Sequence, residues 1–503
     1  MKKRQTMQDR QSKGISDKKS EGDTKALSVK KNENFSEWFS EIIQKAELAD
    51  LRYNVKGFLV FQPWSVLAME KMYGIFEEAL QRRGHKPYWF PTLIPQSNLK
   101  KESSHVKGFT PEVFWVTHGG ETEFTEKLAL RPTSETAFYQ MFSIWIRSYK
   151  DLPFKTYQRA NVFRYETKAT RPFLRSREFH WIETHCVHKT KEDAMKQVYE
   201  DMEITKEVLH DGFGLPFMFF ERPAWDRFAG ADRTFAADVL NPDGRVVQQP
   251  STHLLSQEFP RGFDVKFKDS DGKEKYPWIT CYGPAISRIF ASVVIVHGDD
   301  KGLRFPWSIA PLQVVIVPIK ESDKILAKAE ELKKKIAGAI GIMNVAIDWS
   351  EKSAGEKFNH WEMKGVPLRI DLGEKEIDAG KLSIFRRDLN KKEVIDEKEL
   401  VGYINKIGKE FDYNLIKQAD HIFDNLVKDA SNMKEVKKVI EEGGIARCSF
   451  CSLDKEGAGC AEIIEKETGA EVRGIKLDEN AKSGKCAVCG KAGKQIVYIA
   501  RAY

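Results

Sequence analysis

The stretch "RYETKATRPFLRSREFHWIETH", residues 164–185, places charged side chains inside what otherwise reads as a pair of β-strands. Aromatic and β-branched residues favour strands, but a buried charge must be paired or it is very costly. Side chains alternate between the two faces of a strand, so Arg164 and Glu166 share one face of the first strand. One face of the returning strand carries Phe179, Trp181, Glu183 and His185.

Two interpretations fit this spacing equally well. The first is an exposed hairpin whose charges form cross-strand ion pairs. The second is a ligand site, because arginine suits bidentate pairing with a carboxylate or a phosphate. A glutamate beside aromatic walls suits a small cation with an apolar body. An amino acid together with a phosphate would fill such a site.

Composition and pattern predict a globular protein of about three domains. The chain has 503 residues, of which 41% are hydrophobic and 31% are charged. Strand-like segments and an amphipathic helix predict an α+β domain with a large antiparallel sheet over residues 34–306. Strands interleaved with helices predict a small α/β domain over 307–408. A helix followed by a cysteine cluster predicts a small α+β domain over 409–503.

The net charge of +7 says little about partners. Residues 1–33 hold ten Lys/Arg against five Asp/Glu and have no aromatics, so we expect a disordered basic tail. The remainder is nearly neutral. No apolar run approaches the roughly 18 to 20 residues of a membrane span, and no signal-peptide pattern opens the chain. We therefore expect a cytoplasmic protein without a membrane partner.

Five of the seven cysteines lie between Cys448 and Cys489. A disulfide framework is not expected in a long cytosolic chain. The pair Cys486 and Cys489 has zinc-knuckle spacing, and an upstream pair would complete a tetrahedral thiolate site for a structural Zn²⁺. The candidates for the upstream pair are Cys448, Cys451 and Cys460. The spacing that is usual in zinc ribbons favours Cys448 and Cys451.

The run Phe163-Arg164-Tyr165-Glu166 resembles motif 2 of class II aminoacyl-tRNA synthetases. "TRPFLRSREFHWIETH" is more similar still to prolyl-tRNA synthetases, and the terminal Tyr503 resembles their archaeal and eukaryotic type. The resemblance runs from residue 35 to the end and includes "VKGFTPEVFWVT", "LALRPTSETAFYQ", "VIVHGDDKGLRFPWSIAP" and "EMKGVPLRIDLG". It implies a class II antiparallel catalytic domain, an α/β anticodon-binding domain and a small zinc-binding α+β domain. It also implies an enzyme that activates L-proline with Mg²⁺-bound ATP and transfers it to tRNA(Pro).

The resemblance also implies roles for individual residues. In the family the motif 2 arginine, here Arg164, holds the α-phosphate and the amino-acid carboxylate, and Arg164 and Arg288 are expected to be catalytic. The expected ATP contacts are Arg164, Glu166, Arg175, Ser176, Gln248, Ser251 and Arg288. The expected proline contacts are Thr133, Glu135, Arg164, Phe179, Trp181, Glu183, His185, His253 and Ser287. Motif 3 departs from the family, with Ala285 at a position that usually holds glycine.

Further implications concern the tRNA, the metal and the partner chain. The segment "GEKFNHWEMKGVPLRIDLG" resembles the anticodon-reading surface of the family, and the candidates for base contact are Glu356, Lys357, Lys364 and Arg369. Charged side chains that are merely exposed to solvent on an α/β domain would explain these residues almost as well. The family pattern selects Cys451, Cys460, Cys486 and Cys489 as zinc ligands. Motif 1, a helix leading into "YWFPTLIP", builds the dimer interface of this class, so a homodimer is expected.

Three alternatives remain on the sequence alone. One is a threonyl or seryl enzyme of the same subgroup, which the aromatic pocket face and the C-terminal cysteine cluster disfavour. Another is a non-catalytic paralogue that binds tRNA for regulation, although Arg164, Glu166 and Arg288 are all present. The third is a zinc-dependent RNA-binding module in which the synthetase fold is vestigial.

Overall fold

The structure is a computed structural model that describes residues 26–105, 113–165, 170–479 and 484–503. Glu166, a predicted ATP contact, and residues 1–25 of the predicted tail lie outside these ranges. Within the tail, Leu27 and Val29 pack against the main core. The Lys31 ammonium donates to the Gly298 carbonyl at 2.7 Å. Residues 26–33 are therefore held against the catalytic part of the chain.

The catalytic part opens with α1 (Phe35–Lys45), β1 (Ala49–Asp50), β2 (Val60–Phe61), α2 (Pro63–Arg82), β3 (Lys86–Pro87), β4 (Leu93–Pro95), α3 (Gln96–His105), β5 (Trp115–Gly119), β6 (Thr122–Leu130), α4 (Glu135–Trp145), β7 (Phe154–Phe163) and β8 (Glu178–His188). It continues with α5 (Lys191–Thr205), a π-helical segment (Lys206–Gly212), β9 (Met218–Glu221), β10 (Ala231–Leu240), β11 (Arg245–Leu255), α6 (Glu258–Gly262), β12 (Phe267–Lys268), β13 (Glu274–Lys275), β14 (Trp278–Gly283) and α7 (Ile286–His297).

The α/β part contains β15 (Val314–Pro318), α8 (Asp323–Ile340), β16 (Val345–Ile347), α9 (Ala354–Lys364), β17 (Leu368–Leu372), α10 (Glu374–Asp378), β18 (Lys381–Arg386), β19 (Lys391–Asp396) and α11 (Leu400–Asp424). The last part contains β20 (Val427–Asp429), α12 (Met433–Glu441), β21 (Ile445–Phe450), α13 (Ala458–Thr468), β22 (Glu471–Gly474) and β23 (Gln495–Ala502). Short 3₁₀ turns cover Tyr149–Asp151, Ile342–Asn344, Glu397–Glu399 and Lys455–Gly457.

One large sheet joins the first and last parts of the chain. Its catalytic strands run β11-β14-β8-β7 in antiparallel order, β3 lies at one edge, and β10 and β9 extend from β11. At the other side β23 pairs in parallel with β11, and β21, β22 and β20 follow. Helices α1, α2 and α7 cover the catalytic sheet with fully buried side chains such as Trp38, Phe76 and Phe290. The predicted α+β catalytic fold is confirmed.

The middle part is a five-stranded sheet in the order β16-β15-β17-β18-β19. The first three strands are parallel and the last two pair antiparallel, which confirms the predicted α/β fold. Helix α11 belongs to more than one core, because Ile407 packs with the α/β sheet while Phe423 packs with Phe220 and Tyr498. The predicted boundary at residues 408/409 thus falls inside a continuous helix.

Where the chain is described, no helix combines the length and the apolar character that crossing a bilayer requires.

Candidate active site

Strands β7 and β8 form the predicted hairpin, and their register sets the floor of the site. Gln158 lies opposite Glu183, and Thr156 lies opposite His185. Strand β7 ends one residue before Arg164, whose Nε donates to the Pro132 carbonyl at 3.2 Å. The Arg164 guanidinium carbon lies 5.2 Å from the centre of the Phe179 ring. Arg164 is thereby held beside the aromatic wall of the pocket.

A cleft beside this hairpin is lined by Arg164, Phe173, Leu174, Arg175, Ser176, Phe179, Ser287 and Arg288. Arg164, Arg175, Ser176 and Arg288 are predicted ATP contacts, whereas the predicted contacts Gln248 and Ser251, on β11, are not among the lining residues. Arg288, in the first turn of α7, donates from Nε to the Leu174 carbonyl and from Nη1 to the Gln248 carbonyl, both at 3.2 Å. The cleft therefore brings the motif 2 loop, the motif 3 helix and strand β11 together around three guanidinium groups. Such a concentration of donors suits a polyanion.

The alanine in motif 3 fits its backbone. Ala285 has φ −80° and ψ 94°, which any L-residue adopts. Two residues earlier, a Cβ on Gly283 would lie 3.3 Å from the Trp181 ring. Glycine is therefore present at position 283, where the Trp181 ring lies close to the backbone. At position 285 the backbone conformation does not require glycine, and alanine is present.

The deepest part of the site is a cluster of two carboxylates and an imidazole. One oxygen or nitrogen from each of Glu135, Glu183 and His185 lies within 4.8 Å of the others, and all three residues are buried. Glu183 accepts from the Ser134 amide at 3.0 Å, from Gln158 Nε2 at 3.2 Å and from His185 Nε2 at 3.1 Å. The predicted proline contacts at these three positions are thus brought together.

The two carboxylates differ in their acidity. Burial by itself raises the pKa of Glu183, but hydrogen bonds from His185, Ser134 and Gln158 bring it below the ordinary glutamate value. Burial raises the pKa of Glu135, and the negative charge of Glu183 raises it further. Like charges at this distance disfavour ionisation of both groups. The lowered pKa of Glu183, with a second carboxylate beside it, makes the cluster suited to a cation.

Aromatic and polar groups complete the pocket. Phe179 and Trp181 meet edge to face with centroids 5.7 Å apart. On β11, the imidazole of His253 bonds Ser251 Oγ through Nε2 at 3.0 Å and Thr234 Oγ1 through Nδ1 at 3.1 Å. Burial lowers the pKa of His253 to about 3, so this ring is neutral. Ser287, the remaining predicted contact, is fully buried and accepts from the His180 amide at 3.4 Å.

Thr133 bridges the two carboxylates, as its hydroxyl lies 3.2 Å from Glu183 Oε1 and also bonds Glu135. The residues of this segment, "RPTSE", would also fit a helix N-cap followed by an acidic first turn. The cap position of α4 is Ser134, whose side chain makes no capping hydrogen bond. The segment instead directs its polar groups into the cluster.

Sequence reasoning missed Ser134, Gln158 and Tyr139. Gln158 Nε2 bonds both Glu183 and Ser134 Oγ, and the Tyr139 hydroxyl lies 3.0 Å from His185 Nδ1. The hairpin register could have revealed Gln158, since it lies directly opposite Glu183. Tyr139, one turn along α4 from Glu135, carried a weaker signal, because the sequence does not show how a helix packs on a sheet.

The four cysteines selected by the family pattern converge in the last part of the chain. The sulfurs of Cys451, Cys460, Cys486 and Cys489 lie within 4.8 Å of one another. Cys448 lies outside this group in the hydrophobic core of the same region. Burial raises the pKa of the Cys448 thiol to about 12, which keeps it protonated.

The anticodon candidates have internal partners. Lys357 Nζ donates to the Asp348 carbonyl at 3.1 Å, and Lys364 Nζ donates to the Ala46 carbonyl at 2.9 Å. Arg369 Nε bonds Asp371 at 2.7 Å, with its guanidinium 3.9 Å from the Phe358 ring centre. The Glu356 carboxylate caps the start of α9. Direct contact of these four side chains with bases stays a prediction.

Three family models match the chain in order. They are the tRNA synthetase class II core domain (G, H, P, S and T) at residues 114–297, the anticodon binding domain at 313–407, and the prolyl-tRNA synthetase C-terminal domain at 433–503.

Curated relatives match over nearly the whole chain. A proline–tRNA ligase of Thermofilum pendens is 46% identical over 484 residues, covering 95% of this chain and 99% of its own. A proline–tRNA ligase of Methanobrevibacter smithii is 42% identical over 476 residues, covering 94% and 100%.

Solved structures agree with the sequence matches. The Giardia lamblia prolyl-tRNA synthetase in complex with prolyl-adenylate aligns with a TM-score of 0.91 and 36% identity, covering 95% of this chain and 100% of its own. The Cryptosporidium parvum prolyl-tRNA synthetase complexed with L-proline and AMP aligns with a TM-score of 0.89 and 29% identity, covering 96% and 99%. The chain belongs to the prolyl-tRNA synthetase family, within the class II aminoacyl-tRNA synthetases.

Proposed function

We propose that this protein activates L-proline with ATP to give prolyl-adenylate and pyrophosphate, and then transfers the prolyl group to tRNA(Pro). One observation carries the proposal more than any other. A buried cluster of two carboxylates and an imidazole lies beside a cleft lined by three arginines, and Arg164 lies where the two meet. An amino acid and a triphosphate are the two ligands that such a pair of sites accepts.

Proline binds with its ammonium on the carboxylate cluster. Glu183 is already ionised, and the arriving cation favours ionisation of Glu135 as well. The rigid ring packs against the aromatic wall that Phe179 and Trp181 form. Because a methylene changes binding in an apolar pocket by only about 1 to 3 kcal/mol, alanine is discriminated modestly.

The first chemical step is an in-line displacement at the α-phosphorus of ATP. A carboxylate oxygen of proline forms the new bond to phosphorus, and the bond from phosphorus to the pyrophosphate oxygen breaks. Arg164 contacts both the proline carboxylate and the α-phosphate, which aligns the reacting atoms and stabilises the charge on the phosphoryl oxygens. Arg175 and Arg288 hold the remaining phosphates. ATP enters as its Mg²⁺ complex, and the ion offsets phosphate charge.

The second step transfers the prolyl group. The terminal adenosine hydroxyl of the tRNA attacks the carbonyl carbon of prolyl-adenylate, and the bond to AMP breaks. Glu183 and Glu135 keep the prolyl ammonium in place during this step.

We further propose that the surface around α9 binds the tRNA anticodon. The side chains of Glu356, Lys357, Lys364 and Arg369 lie at this surface or directly beneath it.

We also propose a structural Zn²⁺ on Cys451, Cys460, Cys486 and Cys489. Four cysteine sulfurs within 4.8 Å of one another form a donor set that suits tetrahedral zinc. The site would hold the segment after β21 to the start of α13 and to the loop before β23. Zinc supplies cross-linking there and takes no part in the chemistry.

A homodimer is proposed on the exposure of motif 1. Trp89 is 90% exposed and follows the edge strand β3. A large exposed aromatic beside a sheet edge is typical of an interface. Cytoplasmic location, and the division of the chain at residues 33/34 and 306/307, also belong to this proposal.

The test is ATP–pyrophosphate exchange measured with each of the twenty amino acids in the absence of tRNA. We expect exchange with proline and weaker exchange with alanine or cysteine. Exchange driven by threonine or serine would overturn the pocket assignment. A folded protein that binds ATP and exchanges with no amino acid would favour the regulatory paralogue.

A further inference from the structure

The carboxylate of Asp238 lies at the contact between the catalytic sheet and the last part of the chain. Arg222, just after β9, donates to it from Nη2 at 2.7 Å and from Nη1 at 3.2 Å. Arg473, on β22, donates from Nε at 2.7 Å and from Nη2 at 3.2 Å. The exposed fractions of these side chains are 0% for Asp238, 1% for Arg222 and 4% for Arg473. Two regions of the chain thus share one buried negative charge.

The backbone around this cluster fixes how the two regions meet. Glu221 and Ile475 exchange amide hydrogen bonds of 2.9 and 3.2 Å. Between Arg473 and Ile475, Gly474 has φ +127°, and a Cβ there would lie 2.0 Å from the Glu221 carbonyl oxygen. Only glycine allows so close an approach. Arg473 therefore enters the cluster from a docked strand and not from a loose surface.

The same cluster reaches the ATP cleft. Asp238 and Gln248 are register partners in the pairing of β10 with β11, beside a register shift that re-aims the side chains. Arg222 Nη2 lies 3.4 Å from Gln248 Oε1. The Gln248 carbonyl in turn accepts from Arg288 Nη1 at 3.2 Å. Contacts connect Arg473 to Arg288 in order through Asp238, Arg222 and Gln248.

We propose that Arg473 is a positioning residue for the ATP subsite. By sharing Asp238, it sets the orientation in which Arg222 meets Gln248, and Gln248 holds Arg288. Without Arg473, Asp238 keeps only Arg222 as an arginine donor. The Arg222 guanidinium then turns toward the carboxylate and away from Gln248. The inference rests on the proposed function, in which Gln248 and Arg288 contact ATP.

The test is the Arg473→Met variant, which keeps an unbranched apolar side chain and removes the guanidinium donors. We expect the KM for ATP in pyrophosphate exchange to rise about tenfold, a typical coupling between sites, with the KM for proline changed less than about twofold. Arg473→Lys restores the charge but not the fork and should show a smaller rise, of about threefold. Because lysine is the milder change, it also serves if Arg473→Met does not fold.

A matched control lies in the same part of the chain. Arg447 bonds Asp429 at 2.6 Å and Glu479 at 3.0 Å, all outside the contact with the catalytic sheet. Arg447→Met also removes two ion pairs of an arginine in this part of the chain, here one with 27% of its side chain exposed against 4% for Arg473, so it should reduce the melting temperature without a rise in the KM for ATP. An equal rise in both arginine variants would mean a general effect of destabilisation and would overturn the proposal.

The path through Gln248 has its own test. In a Gln248→Ala background, replacing Arg473 by methionine or lysine should add little to the KM for ATP, because the link is already broken. Full additivity, or an unchanged KM for ATP in the single variants, would overturn the inference. Either result leaves the proposed function intact. Failure of the proposed function would instead appear as no proline-driven exchange by the unsubstituted protein.

Discussion

His185 Nε2 lies 3.1 Å from Glu183 Oε1, and neither side chain is open to solvent. An ionised carboxylate can only accept, so Nε2 carries a proton. The Tyr139 hydroxyl bonds the other ring nitrogen, Nδ1, at 3.0 Å. Tyr139 thus anchors the far side of the His185 ring and keeps Nε2–H directed at Glu183.

The Tyr139→Phe variant tests this arrangement. Loss of the Tyr139 hydroxyl removes the bond that orients the His185 ring, and this weakens the bond from His185 to Glu183. We expect the KM for proline to rise about fivefold, the equivalent of one ordinary hydrogen bond, with the KM for ATP unchanged. Steady-state pyrophosphate exchange measures both constants.

Tyr157→Phe is the matched control for this variant. Tyr157 is also a buried tyrosine, but its hydroxyl accepts from Gln81 at 2.7 Å, on the opposite face of β7 from Gln158. Its loss should leave the KM for proline unchanged. Similar kinetic effects in both variants would contradict a specific role for Tyr139.

Replacement of single cysteines tests the proposed metal site. Cys486→Ser removes one of four clustered sulfurs, so we expect zinc content to fall from about one ion per chain to near zero, with a lower melting temperature. Cys448→Ser changes a buried cysteine outside the cluster and should keep its zinc. Elemental analysis of the purified proteins measures the zinc content. Loss of zinc in Cys448→Ser alone would show that Cys448, as the zinc-ribbon spacing predicts, is a ligand.

Trp89→Glu tests the proposed dimer. A charge at an exposed aromatic beside the sheet edge should disfavour association, because its desolvation in an interface is costly. We expect sedimentation velocity to show a dimer for the unsubstituted protein and a monomer for the variant. Trp349→Glu is a control, since Trp349 is also exposed but lies in the α/β part. A monomeric unsubstituted protein would contradict the proposal directly.

The buried His297 makes the stability dependent on pH. Its Nε2 lies 2.8 Å from the Phe213 carbonyl, and burial lowers its pKa to about 3. Below about pH 6.5 the unfolded chain binds a proton here that the folded protein does not. The free energy of unfolding therefore falls on acidification, by about 1.4 kcal/mol per pH unit for this group.

The His297→Gln variant keeps an N–H donor for Phe213 and removes the titration. At pH 7 we expect the variant to be less stable than the unsubstituted protein. Between pH 6.5 and 5 this difference should narrow by about 2 kcal/mol. Thermal unfolding across that range measures it, and parallel curves for the two proteins would show that His297 does not contribute.

The sequence by itself determined the local elements and the family. The alternation in residues 178–185 predicted strand β8, and its polar face proved to be the face that meets Gln158. The apolar spacing of "DKILAKAEELKKKIAGAI" is typical of an amphipathic helix, and this segment forms α8 (Asp323–Ile340). These are short-range properties, because the period of apolar side chains depends only on neighbours along the chain. The residues of the quoted motif segments then indicated the family.

Only the tertiary structure decided which groups meet across the chain. The apolar run "ASVVIVHG" lacks a clear period, and packing against α2 makes it part of helix α7. The contact of Tyr139 with His185 and the sharing of Asp238 by Arg222 and Arg473 both join residues that are distant along the chain. Such contacts depend on strand register and on how helices pack, and neither leaves a periodic signal in the sequence.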